Sequence, residues 1–439
     1  MLASILFIAI AAVALTYAGR EFLKIRRNIL LGQEELIVGN VTKRWQNVFL
    51  IALGQKKMFT RFIPAIFHFF IYAAFLLTQI ELIEIFIDGI FGTHRFFANK
   101  IGGLYMLVIN LIEILSVLAF VATFIFLARR NLLKIPRFQK SELNGFPRLD
   151  ANIILLLEIV LLIGVFSMNG ADTVLQGINP EHYKPIGGFA VSSWLGPMLF
   201  GTLSQSSLII VERFGWWLHI LTVFSFMCYL PKSKHLHIFL AFPNVYFSKL
   251  TPHGKMENMP AIMNEVKGMM GLPLATTLET VSNEVPEFGS NDVTNLSWKN
   301  ILDAYSCTEC GRCTAVCPAN LTDKKLSPRK IMMDVRDRAT EIGSILDSQK
   351  IEIKDFSDGK SLFDRILPEE IHACTTCNAC VEACPVLINP LDIILKMRRY
   401  EILTLSQGPT DWLPMFNSLE NSGAVWQMPV EREAWAKEN

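Results

Sequence analysis

The first 240 positions are written in long apolar runs separated by short polar loops, and the remainder is not. Five runs, 2–18, 62–87, 101–128, 151–168 and 214–230, come close to the ~20 apolar residues that carry a helix across a bilayer. Hydrocarbon offers no partner for backbone N–H and C=O groups, so such runs are expected as helices. After residue 240 the apolar positions shorten into amphipathic stretches. The apolar pattern predicts an all-α protein, a membrane helical bundle of about five transmembrane helices and then a mainly α-helical domain, where two cysteine runs at 307–317 and 374–384 have the spacing of a ferredoxin-like pair of 4Fe-4S clusters. The expected divisions are a transmembrane domain at 1–240, an irregular linker with one short helix at 241–298, a dicluster domain at 299–405 and a tail at 406–439. Hydrophobic residues make up 51% of the chain and charged ones 18%, against about 25% charged in a soluble domain.

Charge sets the orientation. The first run has no basic residue before it and is followed by Arg20, Lys24, Arg26 and Arg27, the pattern of an uncleaved helix with its N-terminus outside rather than of a signal peptide. Lys and Arg number nine in 20–61 and six in 129–150, but two in 88–100 and one in 170–212. The positive-inside rule then predicts a multi-pass protein of a bacterial or archaeal cytoplasmic membrane, with its C-terminal half on the cytoplasmic side. A formal net charge of +1 supplies no field for nucleic acid, which is excluded as a partner.

Eight of the nine cysteines fall in two runs of the same spacing, Cys307, Cys310, Cys313, Cys317-Pro318 and Cys374, Cys377, Cys380, Cys384-Pro385. Three thiolates at this spacing wrap three corners of one cubane, and the fourth reaches the partner cluster. Cluster one is therefore expected on Cys307, Cys310, Cys313 and Cys384, and cluster two on Cys374, Cys377, Cys380 and Cys317. Gly311, Ala315, Ala379 and Ala383 leave room for backbone N–H groups near the sulfurs. Zinc needs four ligands per site and leaves the Cys-Pro pairs and the duplication unexplained. Each run is followed by a cap and a proline, Ser327-Pro328 and Asn389-Pro390, which predict helix starts. Cys228, in an apolar stretch, reads as packing.

Histidines inside apolar runs suggest a b-type haem held by two imidazoles. The candidates are His68 in the second run, His219 in the fifth, and His237 just beyond it. On one continuous helix His219 and His237 share a face about 27 Å apart, so one haem takes one of them with His68. His235 points elsewhere on such a helix, unless Pro231 ends it, and both His235 and His237 also read as interfacial residues. Glu113 and Glu158 fall inside runs. Each is either a proton carrier for a quinone or half of a helix–helix hydrogen bond.

The cysteine runs and the tail from Leu419-Glu-Asn-Ser-Gly to Met428-Pro429 resemble membrane iron-sulfur proteins related to heterodisulfide reductase, and the resemblance spans essentially the whole chain. The tail departs from the Asn-Pro-Trp-Gly wording usual in that family. The membrane part resembles the cytochrome b subunit of respiratory nitrate reductase, whose last-helix ligand spacing His219 and His237 fit. That subunit has a second histidine ten places on in the helix matching span two, where this chain has Thr78. The resemblance is to the electron-transfer portion, and it implies a partner in a Cys-Cys-Gly-domain reductase subunit or an electron-transfer flavoprotein.

The expected function is that of an oxidoreductase subunit passing electrons between the menaquinone pool and a cytoplasmic partner through haem b, one or two, and the two clusters. The alternative is a membrane-anchored ferredoxin module that serves soluble proteins only. A transporter is disfavoured, because the runs lack paired Gly- and Pro-broken segments.

Overall fold

The computed structural model describes residues 1–252, 254–256, 258–273, 288–425 and 433–437. Positions 253, 257 and 274–287 of the expected linker and 426–432 and 438–439 of the tail, with its Trp-Gln-Met-Pro segment, lie outside the described residues. The described residues contain no strand, only an isolated bridge between Gln33 and Ser297.

Among the described residues, five helices are long and apolar enough to cross a membrane: α1 (Leu2–Ile29), α2 (Phe62–Phe91), α3 (Gly103–Asn131), α4 (Phe146–Ile178) and α5 (Gln205–Tyr229). Each is longer than its apolar run, because a helix already nucleated adds a backbone bond per residue in water too. The extension of α1 is the most consequential. It continues past its basic residues to Ile29, and Ile25 and Ile29 join the core of the C-terminal domain.

Glycines bring α4 and α5 into backbone contact. A Cβ on Gly164 would lie 2.9 Å from the His219 nitrogen, and one on Gly215 would lie 2.6 Å from the Met168 nitrogen. Small residues at facing positions let helices approach closely where no hydrophobic drive exists between them.

The fifth helix does not continue to His237. It stops at Tyr229, 3-10 turns follow over Leu230–Lys232 and Lys234–Leu236, and a separate helix α6 begins at His237 and ends at Tyr246. Pro231 has no N–H to donate and its ring crowds the preceding turn. The shared face expected for His219 and His237 is thereby corrected. Helix α6 runs across position 240, and a further helix, Pro260–Met269, lies in the stretch read as connector.

The C-terminal half is built on α7 (Trp298–Tyr305), α8 (Pro328–Gln349) and α9 (Pro390–Arg399), followed by α10 (Trp412–Ser422). The two cap-proline starts are as expected: Ser327 accepts from the Lys330 N–H at 3.4 Å and Asn389 from the Asp392 N–H at 3.2 Å. These caps satisfy donors that the first turn leaves free.

The two halves are stitched together by polar contacts at one end of the bundle. Asn28 donates to the Tyr305 hydroxyl at 3.0 Å and Arg27 to the Gly343 carbonyl at 2.8 Å. Arg329, wholly buried, donates to Glu142 at 2.7 Å and to the Arg137 carbonyl at 2.8 Å. Burial alone would raise the Glu142 carboxyl, but the bond and charge of Arg329 and the Ser327 hydroxyl outweigh it and hold Glu142 below the usual carboxylate range.

Candidate functional site

The two cysteine runs share a backbone solution. Positive φ occurs at Glu309 (55°) and Gly311 (69°) in the first run and at Thr376 (56°) and Asn378 (61°) in the second, the corresponding positions of each. A residue in the left-handed region reverses the chain locally, so each run curls round rather than extending. At Gly311 a Cβ would also lie 2.5 Å from Arg329 Nη1, which fixes glycine there.

The thiols gather in two sets. Cys307 and Cys310 are the cysteines that act electrostatically on Cys384; Cys313 feels Cys307, Cys310 and Cys384 and, more weakly, Cys380. Cys317 and Cys377 act on Cys374, and all three act on Cys380. The last cysteine of each run thus stands with the first three of the other. Burial and the neighbouring thiols push Cys380 and Cys384 up to about 12. Burial likewise pushes Cys307 to about 12, with the Glu309 N–H opposing.

Four thiolates crowded out of water repel one another unless a cationic centre binds them, since metal ligands must be deprotonated. All eight are free thiols, and backbone N–H groups of Thr376 and Ile388 point at Cys374 Sγ (3.4 Å) and Cys384 Sγ (3.3 Å). Among the described residues no three His, Cys, Asp or Glu side chains close around the volume of a single metal ion. The donor set and its spacing fit multi-iron cubanes better than mononuclear zinc.

Basic groups surround the first set. Arg312 donates to the Lys57 carbonyl at 3.2 Å and the Met58 carbonyl at 3.3 Å, which brings the first run to the foot of α2. Burial and the Arg61 charge hold Arg137 down at about 10 despite Cys310 beside it. Arg398 plays the matching part at the second set, donating to the Ile371 carbonyl and the Cys374 carbonyl.

Three imidazoles meet at this same foot. The His235 and His237 ring centroids are 5.5 Å apart. Burial first, then His237 and His68, push His235 down to about 3, and burial lowers His237 as well. His68 has the Arg312 guanidinium and the His237 ring as electrostatic neighbours. Its Nδ1 is 3.1 Å from Gln55 Oε1, and His237 Nδ1 is 3.2 Å from the Lys234 carbonyl. An acceptor on one ring nitrogen fixes the tautomer and frees the other, the arrangement of metal-bound histidines. His219 stands apart, ten residues and about 15 Å back along α5 from Tyr229. It is buried against α4, with its Nδ1 lacking a hydrogen-bond partner.

The two predicted carboxylates separate. Glu113 is fully buried and accepts from the Val191 N–H (2.8 Å), the Ser192 N–H (3.1 Å), the Ser192 hydroxyl and Asn169 (3.3 Å), so of its two readings the hydrogen-bonding one is filled. Glu158 is partly buried on α4. Sequence reasoning missed Glu81 and Glu84, although both fall inside the second apolar run, one turn apart. It also missed Arg95, Asn169 and Asp172, which join them at the end of the bundle away from the cysteines.

Residues 306–388 match the family model described as the 4Fe-4S dicluster domain. Fold and match together define the class: a helical chain with five potential membrane spans and a two-cluster iron-sulfur domain. The chain is similar to the probable iron-sulfur-binding oxidoreductase FadF of Bacillus subtilis, 27% identical over 93% of this chain and 57% of that protein. It is similar to the EtfAB:quinone oxidoreductase of Syntrophomonas wolfei, 24% identical over 91% of this chain and 54% of that one. It also resembles a probable membrane-anchored ferredoxin of Chromohalobacter salexigens, 29% identical over 36% of this chain and 25% of that protein. The chain spans a little over half the length of the first two relatives. No solved structure matches it.

Proposed function

We propose that the chain is the electron-transfer part of a membrane oxidoreductase linking menaquinone to a cytoplasmic redox partner through one haem b and two 4Fe-4S clusters. Cys307, Cys310, Cys313 and Cys384 hold cluster one; Cys374, Cys377, Cys380 and Cys317 hold cluster two. His68 and His237 are the haem ligands, with His219 left without a partner histidine on α2. When bound, haem and clusters each take up and release one electron at a time. The clusters face the cytoplasm, and residues 1–240, 241–298, 299–405 and 406–439 act as cytochrome b-like part, linker, dicluster domain and tail. The partner is an electron-transfer flavoprotein, in keeping with the name of the S. wolfei relative, or a Cys-Cys-Gly-domain reductase subunit.

Arg312 carries the reading. It belongs to the first cysteine run, bonds to the backbone at Lys57 and Met58, and is a charged neighbour of His68, so the imidazole group and the first thiol set lie side by side. Anaerobically purified protein is expected to show a b-type band in its reduced-minus-oxidised spectrum, and its clusters to be reduced by a naphthoquinol. Absence of the band removes the haem half. Clusters indifferent to the quinol favour the second reading, a membrane-anchored ferredoxin, which the likeness to the C. salexigens protein supports.

A further inference from the structure

At the end of the bundle away from the cysteines, a polar cluster is sealed between α2, α3, α4 and the loop after α2. Arg95 donates to Asp172 at 2.7 Å, to Asn169 at 2.7 Å and to the Tyr105 hydroxyl at 3.2 Å. Tyr105 in turn donates to Glu84 at 2.7 Å, which also accepts from the Phe97 N–H at 2.7 Å. Glu113 is satisfied by Ser192, Val191 and Asn169. One carboxyl oxygen is left over. Glu81 is 3% exposed and its Oε1 has no hydrogen-bond partner.

That oxygen belongs to a side chain lining a cavity of about 20 Å³, together with Glu84, His94, Arg95, Glu212 and Trp216. A space of this size holds about one water molecule. The charged groups facing Glu81 are Arg95, Glu84 and Glu113, and the Asn169 amide stands beside it. Glu212 is paired with Arg213, and Asp172 takes both Arg95 and His94. Arg95 is therefore shared among several carboxyls, and Glu81 stands beside Glu84 and Glu113 with no cation of its own. His94, with a side chain 22% exposed, stands at the edge of the cavity.

We propose that Glu81 and this cavity form a proton-holding site through which quinone chemistry exchanges protons with the face of the membrane opposite the cysteines. The proposal rests on the quinone reading given above. Oxidation of one quinol breaks two O–H bonds, sends two electrons singly towards the cysteine-bearing side and frees two protons. Each proton is taken in turn by the Glu81 carboxylate and passed by way of the cavity water towards His94 and the outer face. Reduction of a quinone runs the same route inward. Electrons and protons then part in opposite directions across the bilayer.

The test uses the full chain in liposomes. Electrochemically induced infrared difference spectra are expected to show a carboxylic-acid C=O band that shifts in D2O, disappears in Glu81→Gln and returns, displaced, in Glu81→Asp. With a soluble naphthoquinol as donor, Glu81→Gln is expected to slow cluster reduction by about 100-fold, while dithionite reduces the clusters of both proteins alike. A Glu81-dependent band in protein that does not oxidise the quinol at all leaves the proton site standing and removes the quinone reading. A band and a quinol rate both unchanged in Glu81→Gln overturn the proton site. Should Glu81→Gln fail to accumulate, Glu81→Asp decides by the same two readouts: an unshifted band with an unchanged rate overturns the proposal.

Discussion

Lys234 pairs through its ammonium with Glu309 and offers its carbonyl to His237 Nδ1 at 3.2 Å. One residue of the turn after α5 thus touches both the first cysteine run and the imidazole cluster. Glu309 is held on its other side by Arg336 at 2.8 Å. Taking away the Lys234 charge leaves the carbonyl contact intact but removes a cation that favours an extra electron nearby. Lys234→Met is expected to make the potential of cluster one more negative by on the order of 50 mV, with the optical spectrum of the haem unchanged. Redox titration followed by electron paramagnetic resonance reads it; a potential that stays put shows that Lys234 is only a strut.

The exchange of fourth cysteines is tested by removing them singly. Cys384→Ser is expected to abolish the signal of the cluster on Cys307, Cys310 and Cys313, and Cys317→Ser the other, each lowering bound iron by about half. Were both variants to lose the same signal, the crossed arrangement would be wrong.

For the haem, His68→Ala and His237→Ala are each expected to eliminate the b-type band, while His219→Ala retains it. The three spectra need no activity assay. Loss of the band in His219→Ala alone would move the site up α5.

The joint between the halves is expected to be acid-sensitive. Glu142 has its carboxyl held below its ordinary 4.5 by Arg329 and Ser327, against burial. A depressed carboxyl contributes stability that is present above pH 4.5 and is lost as pH falls through its folded value. Glu142→Gln leaves Arg329 buried without its charge partner, at a cost of about 3 kcal/mol. Limited proteolysis of the 131–146 loop is expected to accelerate below pH 4.5 in the parent and at pH 7 in the variant.

Close approach of α4 and α5 makes Gly215 intolerant of a side chain. Gly215→Ala places a carbon 2.6 Å from the Met168 nitrogen, and overpacking of this kind costs about 1–3 kcal/mol. Thermal unfolding in detergent measures it.

The spans were legible because their apolar runs match the thickness of a bilayer, and the cysteines because their spacing is that of a cubane wrap. Helix ends were not: nothing local in 18–29 says that α1 continues, since Ile25 and Ile29 find their partners almost 300 residues later. The His68 and His237 pair could be argued from depth in the membrane, yet His235 joins them only because Pro231 ends α5. Glu81 and Glu84 were visible as carboxyls in an apolar run. That Glu113 is saturated and Glu81 is not depends on the Val191-Ser192 backbone folding back over α3, which no periodicity announces.

The contact between Asn28 and Tyr305 spans 277 positions, so α1 supplies a wall for a core whose other side is synthesised much later. Until that wall is in place Ile301, Val335 and Ile393 have an open flank. Closure of that core therefore waits on α1, and a fragment made without α1 would present its cysteine runs in an unfinished vessel.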